Sequence, residues 1–431
     1  MDTTGNEWKL KGELPEPSKD QDRSTNNEKA SEGNKTAIRG TKDGEEKAYL
    51  FETKSRKSSI GELQELLVES ENHLGDSRDE DGNQSFIEWE PSMRGEQEPF
   101  MVHLCTALYA LVPLISLCVS VALLCSLWTP LWPGAILYFG YLLADRNTCN
   151  RGGRRLKWVH ESKFWTYLAA YFPIKLRCPP NLSLDPNENY ILSYHPHGMI
   201  AFGCLASFGT NALNFNQLFP GIRARLLAHE MFFWVPLMRE IFTLRGDCSV
   251  NSRSLDCLLE KRYKQPNHPE ARGNLLALVV GGLAEADLSD PQILRVLLAK
   301  RKGFVRKALK HGAHLVPCIA FGENSVYTKV NLRPNSFWHR LERSLYHVMK
   351  LKYPLYHGTS ITGIPDRRGA MPYKRPITVV MGEPIRVPHR VEWPSEEQVD
   401  QLHAIYVDKL KQLYNANRDL CEQYDNCLEI V

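Results

Sequence analysis

No C-x-x-C pair occurs in this 431-residue chain, and its 11 cysteines are odd in number and scattered. That excludes thiolate-clustered zinc modules and argues against a disulfide framework; free thiols in a reducing compartment are the expectation. Other signatures are missing too. Without H-E-x-x-H there is no zincin-type metal site, and without G-x-S-x-G no serine-esterase elbow. Without a P-loop or G-x-G-x-x-G, nucleoside triphosphates and nicotinamide cofactors have no cradle. A surplus of one charge is lacking as well: 53 basic against 50 acidic residues leave a net +3, which does not advertise a nucleic-acid surface. Met1 to Gly5 are polar and no apolar run follows for about a hundred residues, so no cleavable leader is expected and any membrane targeting is internal.

What is present divides the chain in three. Residues 1–98 are rich in Glu, Lys, Ser, Asn, Asp and Gly, with apolar islands only around Tyr49–Phe51 and Leu63–Val68. Such a segment cannot bury enough surface to offset its ordering entropy, so a disordered polar tail is expected. Residues 99–145 reverse the pattern. Phe100 to Trp128 is almost wholly apolar, long enough for a hydrocarbon layer that takes about 20 helical residues. Thr129, Pro130, Pro133 and Gly134 break it among Trp128 and Trp132, and a second run, Ala135 to Ala144, is too short to span untilted. A membrane hairpin returning to one face, or an interfacial element, both fit. Arg146, Arg151, Arg154, Arg155 and Lys157 follow, which places the remainder in the cytosol.

Residues 146–431 read as one α/β domain, a mixed sheet flanked by helices. Strands are expected at Tyr190–Tyr194, Leu275–Val280, Leu315–Ala320 despite Pro317, and Ile377–Met381. Arg301–Lys310 puts Val305, Ala308 and Leu309 on one helical face, with Gly312 placed to end it. Ser395 and Gln398 form a capping-box pattern ahead of an apolar stripe at Val399, Leu402, Tyr406, Leu410 and Leu413.

Three places carry chemistry. Tyr194-His195-Pro196-His197-Gly198 ends a strand, where open α/β sheets present reactive groups. If the extended geometry persists through Pro196, His195 and His197 share a face. Imidazole suits a general base at neutral pH. In Val279-Val280-Gly281-Gly282-Leu283-Ala284-Glu285 a buried strand runs into paired glycines, so Glu285 is expected on the same rim, orienting a histidine and stabilising its imidazolium. Lys300-Arg301-Lys302 with Arg306 offers fixed positive charge for phosphates. His195, His197 and Glu285 also imitate a two-His, one-carboxylate metal site, but no neighbouring ligand pattern supports metal.

Together these blocks resemble the diacylglycerol O-acyltransferase type 2 family, which includes monoacylglycerol and wax-alcohol acyltransferases. The resemblance covers about the last three hundred residues. It rests on Tyr171-Phe172-Pro173, His195 to Gly198, Arg239-Glu240, Asn251, Gly281-Gly282 with Glu285, and Arg301-Lys302-Gly303-Phe304 through Val316-Pro317 to Phe321-Gly322-Glu323-Asn324 and Tyr327. Met371-Pro372-Tyr373 with Arg375-Pro376-Ile377 continues it. It implies an acyltransferase of the endoplasmic reticulum membrane, found on lipid droplets too, with both termini cytosolic. The co-substrate is acyl-CoA, with no prosthetic group, and the acceptor is diacylglycerol or a related lipid alcohol. His195 or His197 is the base, and Arg301, Lys302 and Arg306 hold the CoA phosphates. The related glycerolipid acyltransferases place an Asp five residues after the His; here those positions are Ile200 and Phe202, so Glu285 is the expected substitute. A non-catalytic membrane scaffold that kept the fold is the other class of reading.

Overall fold

The computed structural model describes residues 86–91, 98–260, 273–330, 355–361, 367–421 and 428–431, with scattered residues between 332 and 344. Its strands in chain order are β1 (Ile87–Trp89), β2 (Lys175–Cys178), β3 (Tyr190–His195), β4 (Ile222–Ala228), β5 (Cys248–Ser249), β6 (Gly273–Val279) and β7 (Leu294–Val296). They continue with β8 (His314–Phe321), β9 (Thr328–Lys329), β10 (Tyr356–Thr359), β11 (Arg368–Gly369), β12 (Thr378–Met381) and β13 (Leu428–Ile430). The main sheet runs β1-β2-β12-β8-β3-β6-β4-β5. From β8 to β5 every pairing is parallel, whereas β12 joins β8 antiparallel and β1 joins β2 antiparallel. The four expected strands are present, each within two residues of its expected ends, and the mixed sheet is as read.

Burial on both faces explains why β3, β6 and β8 are near-continuous apolar runs. Leu192 and Tyr194 of β3 point into one core and Ile191 into the other, following the two-residue period. Eight of the helices, in chain order, are α1 (Pro99–Ser126), α2 (Trp132–Ala144), α3 (Lys163–Tyr171), α4 (Met238–Arg245), α5 (Ser252–Leu259), α6 (Gly282–Ala286), α7 (Gly303–His311) and α8 (Glu396–Ala416), with single turns at Lys157–His160, Phe202–Cys204 and Phe215–Leu218 besides. One core is closed by α3, through Trp165, Leu168 and Tyr171. Phe304, Val305, Ala308 and Leu309 of α7 and the Val399-to-Leu413 stripe of α8 close the other. Both capping-box bonds of Ser395 and Gln398 are made, and α7 stops at Gly312, whose φ of +65° suits glycine.

Helix α1 is long and apolar enough to cross a membrane. Not all of the run is free for lipid. Val102, Cys105 and Thr106 are buried, Tyr167 donates to Glu98 at 2.6 Å, and Tyr109 packs edge-on against Trp165. The other faces are exposed: Leu104 and Leu108 before Pro113, Leu114, Leu117, Val121 and Leu124 after it, and Trp128, Leu131 and Trp132 at the tip. Helix α2 returns to the same domain, where Tyr138 donates to Glu240 at 3.0 Å and Asp145 pairs with Arg239 and Arg154. Both outer ends of the helical pair are thus held by one body.

One segment departs from the expectation of a polar tail over 1–98: Ile87–Trp89 is strand β1, registered on β2 and held by Lys175 bonding Glu88 at 3.1 Å. The rest of that tail, apart from residues 86–91 and Glu98, lies outside the described residues.

Candidate active site

Strands β8, β3 and β6 are adjacent and parallel, so their carboxyl ends deliver three groups to one edge. From β3 come His195 and His197, from β6 through a Gly-Gly turn comes Glu285, and from β8 through Gly322 comes Glu323. The expectation that the two histidines share a face is not met. Strand β3 ends at His195 and the His195–Pro196 peptide is cis; His195 is fully buried, whereas His197 is half-buried.

Their hydrogen bonds set which nitrogen of each ring is basic. Nδ1 of His197 lies 3.1 Å from the Gly198 carbonyl, which only accepts, so Nδ1 carries the proton. Burial lowers the His197 pKa and favours the neutral ring. Its Nε2 then holds a lone pair and has no partner among the described residues. In His195 the logic is inverted. Tyr406 spends its one proton on the Ser193 carbonyl at 3.3 Å, so Nε2 of His195, 3.1 Å from the same hydroxyl, must donate to it. Burial pushes this ring down to about 3.

Glu285 reaches the histidine segment, though through the main chain. Its Oε1 accepts the His197 amide at 2.6 Å and its Oε2 the Leu297 amide at 2.7 Å, while neither oxygen bonds an imidazole. The paired glycines have different causes. Gly281 has no room for a Cβ because the Glu285 carboxylate folds back over it, and Gly282 has a φ of +59°. Burial pushes Glu285 up to about 7, against the two amides and the nearby charge of Arg301.

Glu323, Tyr194 and Tyr406 were not foreseen as site residues. Glu323 is wholly buried. It accepts from Tyr194 hydroxyl at 2.6 Å and from the amides of Phe202 and Gly203 at 2.7 and 3.0 Å. Burial raises it to about 7. It also packs under the turn at Gly198: a Cβ there, at a φ of +58°, would meet its Cγ at 2.8 Å. Phe202 is, with Ile200, one of the two positions that stand five residues after a histidine of the pair, and the Glu323 carboxylate from β8 accepts the Phe202 main-chain amide. The amides of Met199, Ile200 and Ala201, between Gly198 and the pair taken by Glu323, donate to no partner among the described residues.

A family model described as diacylglycerol acyltransferase matches residues 124–430. The chain belongs to this family. It is 39% identical over 292 residues to Acyl-CoA wax alcohol acyltransferase 1 of Homo sapiens, covering 68% of this chain and 85% of that protein. It is 40% identical over 296 residues to Diacylglycerol O-acyltransferase 2 of Danio rerio, covering 69% and 79%. Diacylglycerol O-acyltransferase 2-like protein 6 of Homo sapiens is 37% identical over 297 residues, covering 68% and 84%. No solved structure matches.

Within this acyltransferase the basic stretch is divided. Lys302 pairs with Asp400 at 2.6 Å, and Arg306 makes a two-pronged pair with Glu396 at 2.9 and 2.8 Å, both tying α7 to α8. Arg301 is exposed, without a partner among the described residues, and close enough to Glu285 to lower its pKa.

Proposed function

We propose that the protein transfers an acyl group from acyl-CoA to diacylglycerol, forming triacylglycerol, with His197 as general base. The observation that carries this reading is the His197 ring itself: neutral, half-buried, its Nδ1 occupied by Gly198 and its Nε2 free. Nε2 takes the proton of the acceptor hydroxyl as that oxygen attacks the thioester carbonyl. The tetrahedral oxyanion draws on the amides of Met199, Ile200 and Ala201, a contribution of about 2.7–4 kcal/mol per donor in better-studied enzymes. Collapse breaks the C–S bond, and the departing thiolate recovers the proton from Nε2. His195, buried beneath with Tyr406, is the positioning histidine, and Glu285 holds the His197 main chain in place. Arg301 stands ready for a CoA phosphate.

A lipid acceptor is supported by the neighbourhood. Phe202, four residues past Gly198, touches Tyr109 of α1 with ring centroids 6.0 Å apart, so the reactive turn adjoins the apolar helix. We read α1 beyond Pro113 and α2 as embedded in the endoplasmic reticulum bilayer, with lipid droplets as a second location and the termini cytosolic. Diacylglycerol then enters sideways without crossing water. The wax-alcohol reading has its own support, because relatives named for each acceptor are equally similar.

Membranes carrying the protein, given labelled oleoyl-CoA with diacylglycerol, monoacylglycerol or hexadecanol in parallel, decide the acceptor. Label in triacylglycerol, lost with His197→Ala, is expected. Label only in a wax ester or diacylglycerol replaces the acceptor, and no ester from properly inserted protein moves the reading to a scaffold.

A further inference from the structure

The basic segment after α2 is mostly consumed by structure. Arg154 bonds Asp145 and the Tyr141 hydroxyl, Arg155 reaches the Ala224 carbonyl at 3.2 Å, and Arg151 has a partner of its own. Arg146 is different. It is exposed, carries no partner among the described residues, and lines a cavity of about 460 Å³ together with Arg253, equally unpaired. Trp234, Asn150, Ser252 and Glu230 complete the walls that matter.

The polar groups there are set to donate. Asn150 Oδ1 accepts from Asn251 Nδ2 at 2.9 Å, leaving its amide hydrogens free, and Ser252 Oγ accepts from Lys307 at 2.7 Å, leaving its own hydrogen free. Glu230, the one carboxylate, is held by Asn251 at 3.4 Å and neutralises only one of two guanidinium charges. Two cationic forks with auxiliary donors match the oxygens of a phosphate. The cavity lies farther along the carboxyl edge than the candidate active site. Glu230 and Trp234 follow β4 and Ser252 and Arg253 follow β5, and β5 lies three strands from β3, about 14 Å at the usual strand spacing.

Position selects the source of the phosphate. Arg146 stands two residues past the end of α2, and Trp234, 43% exposed, is an amphipathic ring of the kind that sits at headgroup depth. We infer that this cavity binds the phosphate of an anionic phospholipid headgroup, seating the catalytic domain against the bilayer; the inference rests on the membrane reading of α1 and α2. A choline headgroup would bring a third cation against the two arginines and is disfavoured.

The purified full chain in neutral detergent is titrated calorimetrically with dioctanoyl phosphatidate, dioctanoyl phosphatidylcholine and adenosine 3′,5′-bisphosphate. Saturable phosphatidate binding is expected, weakened about tenfold in each of Arg146→Gln and Arg253→Gln, with acyl transfer in plain detergent unchanged. Nucleotide binding lost in those variants, without phosphatidate binding, would overturn the headgroup assignment, and equal binding of phosphatidate by wild type and both variants would overturn the site. These short-chain lipids need no bilayer, so a failed membrane reading, exposed by carbonate extraction, leaves the titration interpretable.

Discussion

Replacing Glu285 with Gln tests whether the buried carboxylate works by holding the reactive turn. The ionised group accepts two amides at 2.6 and 2.7 Å, from His197 and Leu297. A carboxamide keeps the shape but has one acceptor oxygen, so its NH2 faces one of those N–H groups. A hydrogen bond to a charged group contributes about 1.5–3 kcal/mol; loosening the His197 main chain by that amount lowers kcat about 10- to 100-fold. The same substitution has a signature in pH. The carboxyl is raised from 4.5 to about 7 in the folded protein, so the folded state binds the extra proton between those values. Its stabilising contribution is therefore complete below pH 4.5 and lost as pH rises through 7, by about 3 kcal/mol. Activity runs the other way, since the ionised form accepts both amides more strongly than the neutral acid does. Acyl-transfer rates and thermal unfolding in detergent, measured from pH 5 to 8.5, should show the Gln variant gaining stability relative to wild type as pH rises, and losing the acid limb near 7. Undiminished kcat with a pH-independent stability difference would refute the reasoning.

Three further outcomes are expected. Gly198→Ala places a Cβ 2.8 Å from Glu323 Cγ and 2.9 Å from its carbonyl oxygen at a φ of +58°; it should cost about 1–3 kcal/mol in stability and most of the activity, read by thermal unfolding and ester formation. Tyr406→Phe removes the acceptor of His195 Nε2, so about 1–3 kcal/mol of stability should be lost, with kcat falling more than the acyl-CoA KM rises. Arg306→Ala breaks an exposed pair with Glu396 and should change stability by no more than about 1 kcal/mol, while Arg301→Ala should raise the acyl-CoA KM; equal KM values for the two variants would remove Arg301 from phosphate binding.

The legible parts of the chain were those whose local pattern and tertiary role agree. Strands β3, β6 and β8 are buried on both sides and therefore read as unbroken apolar runs. Strand β4 did not announce itself because Arg223 and Arg225 interrupt Ile222–Ala228, yet both are buried, Arg225 by bonding Asn274 and the Gly152 carbonyl. Nothing within three residues could reveal those partners. Strand β1 is Ile-Glu-Trp inside a polar stretch, and only the pairing with β2 makes it a strand. At the candidate site, His195, His197 and Glu285 were singled out because two imidazoles after a strand and a carboxylate after paired glycines are unusual. Glu323 was hidden by its context: a Glu after Gly at a strand end is ordinarily a solvated turn residue, and its burial depends on Tyr194 and Gly203 closing over it. The split between the histidines depended on where β3 ends.

The contact of Tyr109 with Phe202 joins the turn after β3 to α1. On the proposed membrane reading, α1, whose outer half exposes Leu114, Leu117 and Val121, would bring that turn to the boundary between lipid and water. An ester product is less water-soluble than its parent alcohol, whereas liberated coenzyme A is a polyanion. In the proposed reaction the two products would therefore part by phase as they form, and reversal would require both to return at once.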